Sequence, residues 1–425
     1  PQPGQLLPLG LQHVVAAVVG VITPAILVAD TCGLSSADKT LMIQVSLILT
    51  ALATLLQLFP IFHRIGSGLP VIMGISFAYI PTLQAIGGEF GLPTILGAEI
   101  VGGIVAIVFG VLVKWIRPLF PPLVTGTVIF TIGLSLYPTA VKYMAGGAGS
   151  EWFGSAKSWA VALITLAVVV FLNHFTKGIT KLASILIGIL AGYVIAYFLG
   201  IVDLSGVGSA AWVALPRPMP FDIQFVPAAC VSLGIVYVVN AVQTIGDLSS
   251  TTMGGMDRMP TDKELSGGIV GQGVMSILGA FFGGLPAATY SQNVGIVTVN
   301  RVINRAVFAL AALILLVAGL VPKFASLLTT IPQCVIGGAT ISVFATITMT
   351  GIRMITEGGF TPRKSSVVGL SVALGVGITQ VSGCLAGEGF PAWVNTVFGS
   401  SSVVVAALMA ILLNLILPKE PSANG

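Results

Sequence analysis

The chain has 425 residues, 56% of them hydrophobic and only 8% charged, with a mean hydropathy of +1.04. Soluble domains carry about 25% charged residues, so this composition excludes an ordinary soluble domain and reads as one integral membrane domain with the lipid bilayer as partner. The net charge of +4 is spread through loops, which is a topology signal and no nucleic-acid surface.

Fourteen bilayer-length apolar segments are predicted, making an all-α polytopic membrane protein. They run approximately 10–29, 41–60, 67–86, 93–114, 121–138, 158–174, 181–200, 224–248, 266–283, 285–300, 305–321, 331–352, 366–383 and 395–417. The third and tenth are the least regular. The first is too long to be a signal peptide. The chain opens on Pro1 rather than Met, which leaves the native termini open.

Charge placement orients these spans. With a cytoplasmic N-terminus, the cytoplasmic loops and tail hold Arg64, Lys114, Arg117, Lys177, Lys181, Arg258, Lys263, Arg301, Arg305, Arg353, Arg363, Lys364 and Lys419. The outer loops hold only Lys39, Lys142, Lys157, Arg217 and Lys323. This asymmetry follows the positive-inside rule and places both termini in the cytoplasm. Cys32, Cys230, Cys334 and Cys384 have no metal-ligand or disulfide spacing and read as small apolar residues. No pattern calls for a cofactor or a metal.

An internal repeat divides the chain. Gly68-Leu69-Pro70 recurs as Gly284-Leu285-Pro286, 216 residues later. At that offset Ser76 corresponds to Gln292, and Phe77 to Asn293. Pro122-Leu123-Val124-Thr125-Gly126 has a similar echo at 332–337. Seven spans separate the members of each pair, so the halves are predicted to be inverted. Inverted repeats with broken elements in matching places point to a midplane site in secondary transporters. The residues around each break favour a short extended piece in spans three and ten.

Polar groups inside apolar spans are the candidate site residues. His13 opens the first span, either as a titrating group or as a neutral bonded one. Glu99 lies early in the fourth span, near enough to the outer interface to reach water, or else in a coupling role. Gln243 and Asp247 are one helical turn apart and share a face. Asp247 is either a coupling carboxylate or a brace accepting backbone N–H bonds from the unwound strand ends. The segment 283–301 places Thr289, Tyr290, Ser291, Gln292 and Asn293 in a row between helix breakers, which at membrane depth implies a protein-lined cavity. Gln292 is a candidate substrate contact, and Asn293 a contact or a brace. Phe77 is a candidate wall of the site or simple core packing.

At these residues the chain resembles the nucleobase–ascorbate transporter family, also called nucleobase–cation symporter family two. The family signature is Gln/Glu/Pro-Asn-x-Gly, four free positions, Thr and Arg/Lys/Gly. Here Gln292, Asn293, Gly295 and Arg301 match it, with Asn300 where Thr is usual. Similar stretches are GLQH at 10–13, SGLPVIMGISFA at 67–78, LFPPLVTG at 119–126, IGD at 245–247 and FGSSSVVVAALMAILLNLILP from Phe398, so the resemblance covers essentially the whole chain.

The resemblance implies fourteen spans in two inverted seven-span repeats. It implies a core domain (approximately 10–114 and 224–321) moving against a gate domain (approximately 121–200 and 331–417), and a homodimer formed through the gate. It also implies a bacterial inner-membrane permease for a purine nucleobase, xanthine or uric acid, most often coupled to a proton. The substrate-binding residues would be Gln243, Gln292, Phe77, Ser76, Asn293 and Tyr290. Asp247, His13, Glu99 and Gln272 would couple or brace. The family usually has Glu where this chain has Gln243, and often Asp where it has Gln272. Both exchanges keep hydrogen-bonding capacity but remove a titratable group. Alternatives are a uracil or other nucleobase permease and an anion exchanger or channel of the same architecture, which would want a basic residue near the break. An enzyme would need a nucleophile–base or metal constellation, and the three histidines are far apart in the sequence.

Overall fold

The computed structural model describes residues 3–421, without the side chains of Gln292, Thr298, Val299 and Asn300. In chain order the elements are α1 (Pro3–Thr31), α2 (Ser36–Leu58), β1 (Met73–Ile75), α3 (Ile80–Phe90), α4 (Leu92–Val111), α5 (Val113–Ile116), α6 (Pro122–Met144), α7 (Ala156–Phe175), α8 (Ile179–Leu182) and α9 (Ser184–Phe198). The second half runs α10 (Pro227–Met256), α11 (Asp262–Phe281), β2 (Ala287–Thr289), α12 (Ser291–Asn300), α13 (Arg305–Gly319), α14 (Pro322–Thr329), α15 (Gln333–Thr356), α16 (Pro362–Gln380), α17 (Ala392–Phe398) and α18 (Ser402–Ile416). Among the described residues, seven helices are long and apolar enough to cross a membrane, or nine if two bent pairs each count as one. The molecule is a mostly helical multi-pass membrane protein.

Local sequence explains the element ends. Ser35 caps α2 by accepting the Asp38 N–H, and Thr261 with Glu264 forms a reciprocal capping box at α11. Proline occupies the first turn of α4, α6 and α10, where no intrahelical N–H is needed. Two segments differ from expectation. The stretch 395–417, expected as one span, is broken into α17 and α18 at 87°. The break falls at Gly399-Ser400-Ser401, where serine hydroxyls take long-range partners: Ser401 meets Thr82 at 3.0 Å, and Ser402 meets Ser135. The expected loop after α13 instead contains α14, bent by 78° from it.

Small residues let α6 and α15 approach to backbone contact. A Cβ on Gly126 would lie 2.8 Å from the Met354 Cβ, and one on Gly351 would lie 2.5 Å from the Phe130 nitrogen. In lipid such close packing replaces the hydrophobic drive between helices.

At the C-terminal end of α1, Asp30 ties this pair to the first helix. Its carboxylate accepts the Tyr143 hydroxyl at 2.6 Å and the Gln333 amide at 3.0 Å, and pairs with Lys39. Hydrogen bonds to a charged group contribute about 1.5–3 kcal/mol each. Asp30→Ala is therefore expected to lower stability by about 2–4 kcal/mol, with Asp30→Asn between it and wild type. The ordering of the three melting temperatures in detergent checks this.

Candidate functional site

The two irregular segments meet. β1 pairs antiparallel with β2 in the register Met73↔Thr289, Gly74↔Ala288, Ile75↔Ala287, and the Tyr290 N–H extends the ladder to the Ile72 carbonyl at 3.0 Å. A two-stranded sheet leaves each outer edge unpaired, which at membrane depth is costly. Neighbouring helices supply partners. Thr54 of α2 accepts the Met73 N–H, and Ser276 of α11 accepts the Ala287 N–H, both at 3.0 Å.

Tyr290 locks the crossing. Its hydroxyl accepts the Ile75 N–H and donates to the Ile75 carbonyl, each at 3.0 Å. The ring lies on Gly74 and Gly20, whose missing side chains make room for it. The hydroxyl is thus fully occupied within the protein.

Each strand runs into a helical N-terminus. After β1, Ser76 accepts the Ala78 N–H at 3.1 Å and starts a 3-10 turn, Phe77–Tyr79, that leads into α3. After β2, Ser291 starts α12. Helix N-termini carry partial positive charge and unpaired N–H groups.

Asp247 of α10 holds the second junction. Its two carboxylate oxygens accept the Thr289 hydroxyl at 2.6 Å and the Ser291 hydroxyl at 2.7 Å. Where a bracing Asp247 was expected to accept backbone N–H bonds, its oxygens take side-chain hydroxyls. One turn earlier, Gln243 is half-buried and Gly246 exposed, so this face of α10 opens where the strands end. Ser76 is half-buried there and Ser291 exposed.

The other candidates with described side chains are buried within the protein. Asn293 is buried and donates to the His13 carbonyl and to His13 Nδ1, both at 3.1 Å. Because α1 begins at Pro3, His13 lies inside the helix, its ring tilted against Phe308 at 4.4 Å, and does not open the helix as expected. Phe77 is 7% exposed and meets Phe344 of α15 edge-on at 5.3 Å. Gln272 is buried, accepting the Thr244 hydroxyl at 2.6 Å and donating to Tyr79 at 3.4 Å. Glu99 was expected near water at the outer interface. It is 0% exposed, because α4 inserts it between α10 and α11. The candidate contact through the Gln292 side chain lies outside the described residues.

A family model described as the Permease family matches residues 4–383. The chain belongs to that family, the nucleobase–ascorbate transporters. This family member is a transporter and no enzyme. It is 35% identical over 421 residues to the xanthine permease of Bacillus subtilis (strain 168), covering 97% of this chain and 94% of that relative. To the uric acid permease PucK of the same organism it is 35% identical over 433 residues, covering 99% and 97%. The transporter also superimposes on the transmembrane domain of a cyanobacterial bicarbonate transporter, BicA, with a TM-score of 0.60 at 16% identity, covering 96% of this chain and 97% of that one. For the murine anion transporter Slc26a9 the TM-score is 0.62 at 11% identity, covering 96% and 68%. At these identities the likeness concerns the fold alone.

Several residues of the transporter's site had little signal in the sequence. Thr54, Ser276 and Thr244 are small hydroxyl residues inside apolar helices, where most such groups bond their own preceding turn. Tyr79 and Tyr237 read as ordinary aromatic core.

Proposed function

We propose that this transporter carries a purine nucleobase, xanthine or uric acid, across the bacterial plasma membrane by alternating access with a coupled proton. The observation that carries this is the open face of α10 at Gln243 and Gly246, set against a strand crossing that ends in two helical N-termini. An amide offers a donor and an acceptor to a purine edge, and the helical N–H groups at 77 and 291–292 suit the carbonyl oxygens of an oxopurine. Gln243 and the Gln292 position would bond the base, with Ser76 beside it and Phe77 as a wall. Tyr290, Asn293 and Gln272 hold the frame. The xanthine and uric acid permeases among its relatives support the same substrate class.

The strand register supports two inverted seven-span repeats. Met73 and Thr289 are 216 apart, the offset of the Gly-Leu-Pro repeat, and they pair with each other. A two-fold axis through that pair would generate this ladder. The hydroxyls of α2 and α11, the second and ninth spans of a fourteen-span count, play equivalent parts. Helices 121–200 and 331–417 pack mainly among themselves, as do 10–114 and 224–321, which supports gate and core. Arg258, Arg301 and Arg305 bond Glu264, Asp257 and the Gly68 carbonyl at one end. That end would be cytoplasmic, as would both termini. The gate would also carry a homodimer contact.

A radiotracer panel in proteoliposomes tests the reading. Xanthine or uric acid is expected to enter and to be competed by the other. Gln243→Ala is expected to reduce uptake about 10- to 100-fold, the effect of losing one or two hydrogen bonds. Preference for uracil, or anion conductance without purine uptake, would replace this reading.

A further inference from the structure

Glu99 is the most unusual charged side chain in the molecule. It is 0% exposed, and neither carboxylate oxygen has a hydrogen-bond partner among the described residues. It interacts electrostatically with Tyr79 and Tyr237, whose rings lie 4.9 Å apart. Gly102, one turn along α4, packs directly on the Tyr237 ring, and Gly279 of α11 faces Glu99 with its Cβ position 3.5 Å from Oε1. The carboxyl group is therefore enclosed by α4, α10, α11 and the 3-10 turn at Tyr79. The other polar atoms there are also underused. Among the described residues, the Asn240 amide nitrogen, near Tyr79, and the Tyr237 hydroxyl, near Ser276, make no hydrogen bond of normal geometry.

The other two titratable candidates have polar partners. Both oxygens of Asp247 take hydroxyls, and His13 is paired with Asn293 through Nδ1, while its Nε2 is buried with no hydrogen-bond partner among the described residues. Facing Glu99, the 3-10 turn contributes Tyr79, α10 contributes Tyr237 and α11 contributes Gly279; behind the tyrosines stand the uncharged Asn240 and Gln272, beside Tyr79, and Ser276, beside Tyr237. No cation faces it among the described residues. A bare carboxylate in such a place is desolvated without compensation, whereas the neutral acid needs only one acceptor.

A polar path leads from this pocket to the candidate base site. Tyr79 lies between Asn240 and Gln272. Gln272 bonds Thr244, and Thr244 is the neighbour of Gln243. Ser276 meanwhile holds the N–H of Ala287 in β2. Any shift of Gln243 or β2 on binding a base therefore bears on the packing around Glu99.

Resting on the purine-transport reading above, we propose that Glu99 is the proton-carrying group of this transporter, coupled to the base through Tyr79, Gln272 and Thr244. The step is a simple protonation: an O–H bond forms on the Glu99 carboxylate with a proton from water on the entry side. That bond breaks, returning the proton to water on the exit side. No electrons are exchanged. One proton per neutral base lets a one-unit pH gradient support at most about tenfold accumulation.

The experiment compares wild type, Glu99→Gln and Glu99→Asp in proteoliposomes, reading gradient-driven accumulation and, separately, counterflow exchange of labelled xanthine at equal pH. Wild type should accumulate base when the outside is acidic. Glu99→Gln should lose that accumulation while keeping most of its exchange. Glu99→Asp should retain accumulation with a displaced pH midpoint. Normal accumulation by Glu99→Gln overturns the proposal, as does loss of exchange in a folded Glu99→Gln protein, which would make Glu99 a brace. If Glu99→Gln does not fold, an unchanged pH midpoint in Glu99→Asp overturns it, and a displaced one supports it. Wild-type accumulation driven by sodium and not by pH also overturns it. These outcomes leave purine transport standing, whereas absence of any purine exchange in wild type removes the transport reading itself.

Discussion

A single methyl group at Gly74 is expected to abolish uptake. The added Cβ would lie 2.3 Å from Tyr290 Cζ and 2.4 Å from its hydroxyl oxygen, far inside van der Waals contact. Tyr290 has no alternative position that keeps both of its bonds to Ile75. Losing those bonds and overpacking the crossing together cost about 3–6 kcal/mol, which corresponds to more than 100-fold in the population of a competent site. Gly74→Ala should therefore transport no purine above background and should melt earlier. Gly88→Ala is the control, because its Cβ would meet only Thr31 Cγ2 at 4.0 Å. Wild-type uptake by Gly74→Ala would show that the strand crossing is not part of the site.

The second large effect is at Asp247. Removing the carboxylate strands the hydroxyls of Thr289 and Ser291, at about 1.5–3 kcal/mol for each bond to a charged group. Asp247→Ala is expected to lose both gradient-driven accumulation and equal-pH exchange. Asp247→Asn keeps one acceptor and gains an amide donor that a hydroxyl oxygen can accept, so it should recover at least a tenth of wild-type exchange. If the residue only braces, accumulation and exchange return together in Asp247→Asn. Exchange returning without accumulation would instead mark Asp247 as a coupling group.

The helical membrane class was legible in the sequence because membrane insertion is read from composition. Long apolar runs with polar breaks locate helices, and two matching Gly-Leu-Pro breaks located both short strands. The site was legible in its parts but not in its roles. Gln243, Asp247, Tyr290 and Asn293 stood out as polar groups in apolar segments, and Gln272 through the family resemblance. Whether each touches a solute or another part of the protein depends on what lies opposite. The Tyr290 hydroxyl, read as a substrate contact, is spent on Ile75, and the amide nitrogen of Asn293, read as a contact or a brace, is spent on His13. Glu99, read as near water, is enclosed because α10 and α11 close over it. The break inside 395–417 was missed because a serine-rich stretch in an apolar run can stay helical by bonding its own preceding turn, and only distant Thr82 and Ser135 draw it out.

By itself the sequence determined the membrane class, the family, the two breaks and the set of polar residues from which a site could be made. Hydropathy and sequence repeats are properties of neighbouring residues and survive without a fold. The tertiary structure alone decided the strand register, the occupancy of Asp247 by two hydroxyls, the locking of Tyr290 on Gly74 and the isolation of Glu99. Those are partnerships between groups far apart in the chain, and in a bilayer interior a buried polar atom takes its role from whichever partner the fold brings to it.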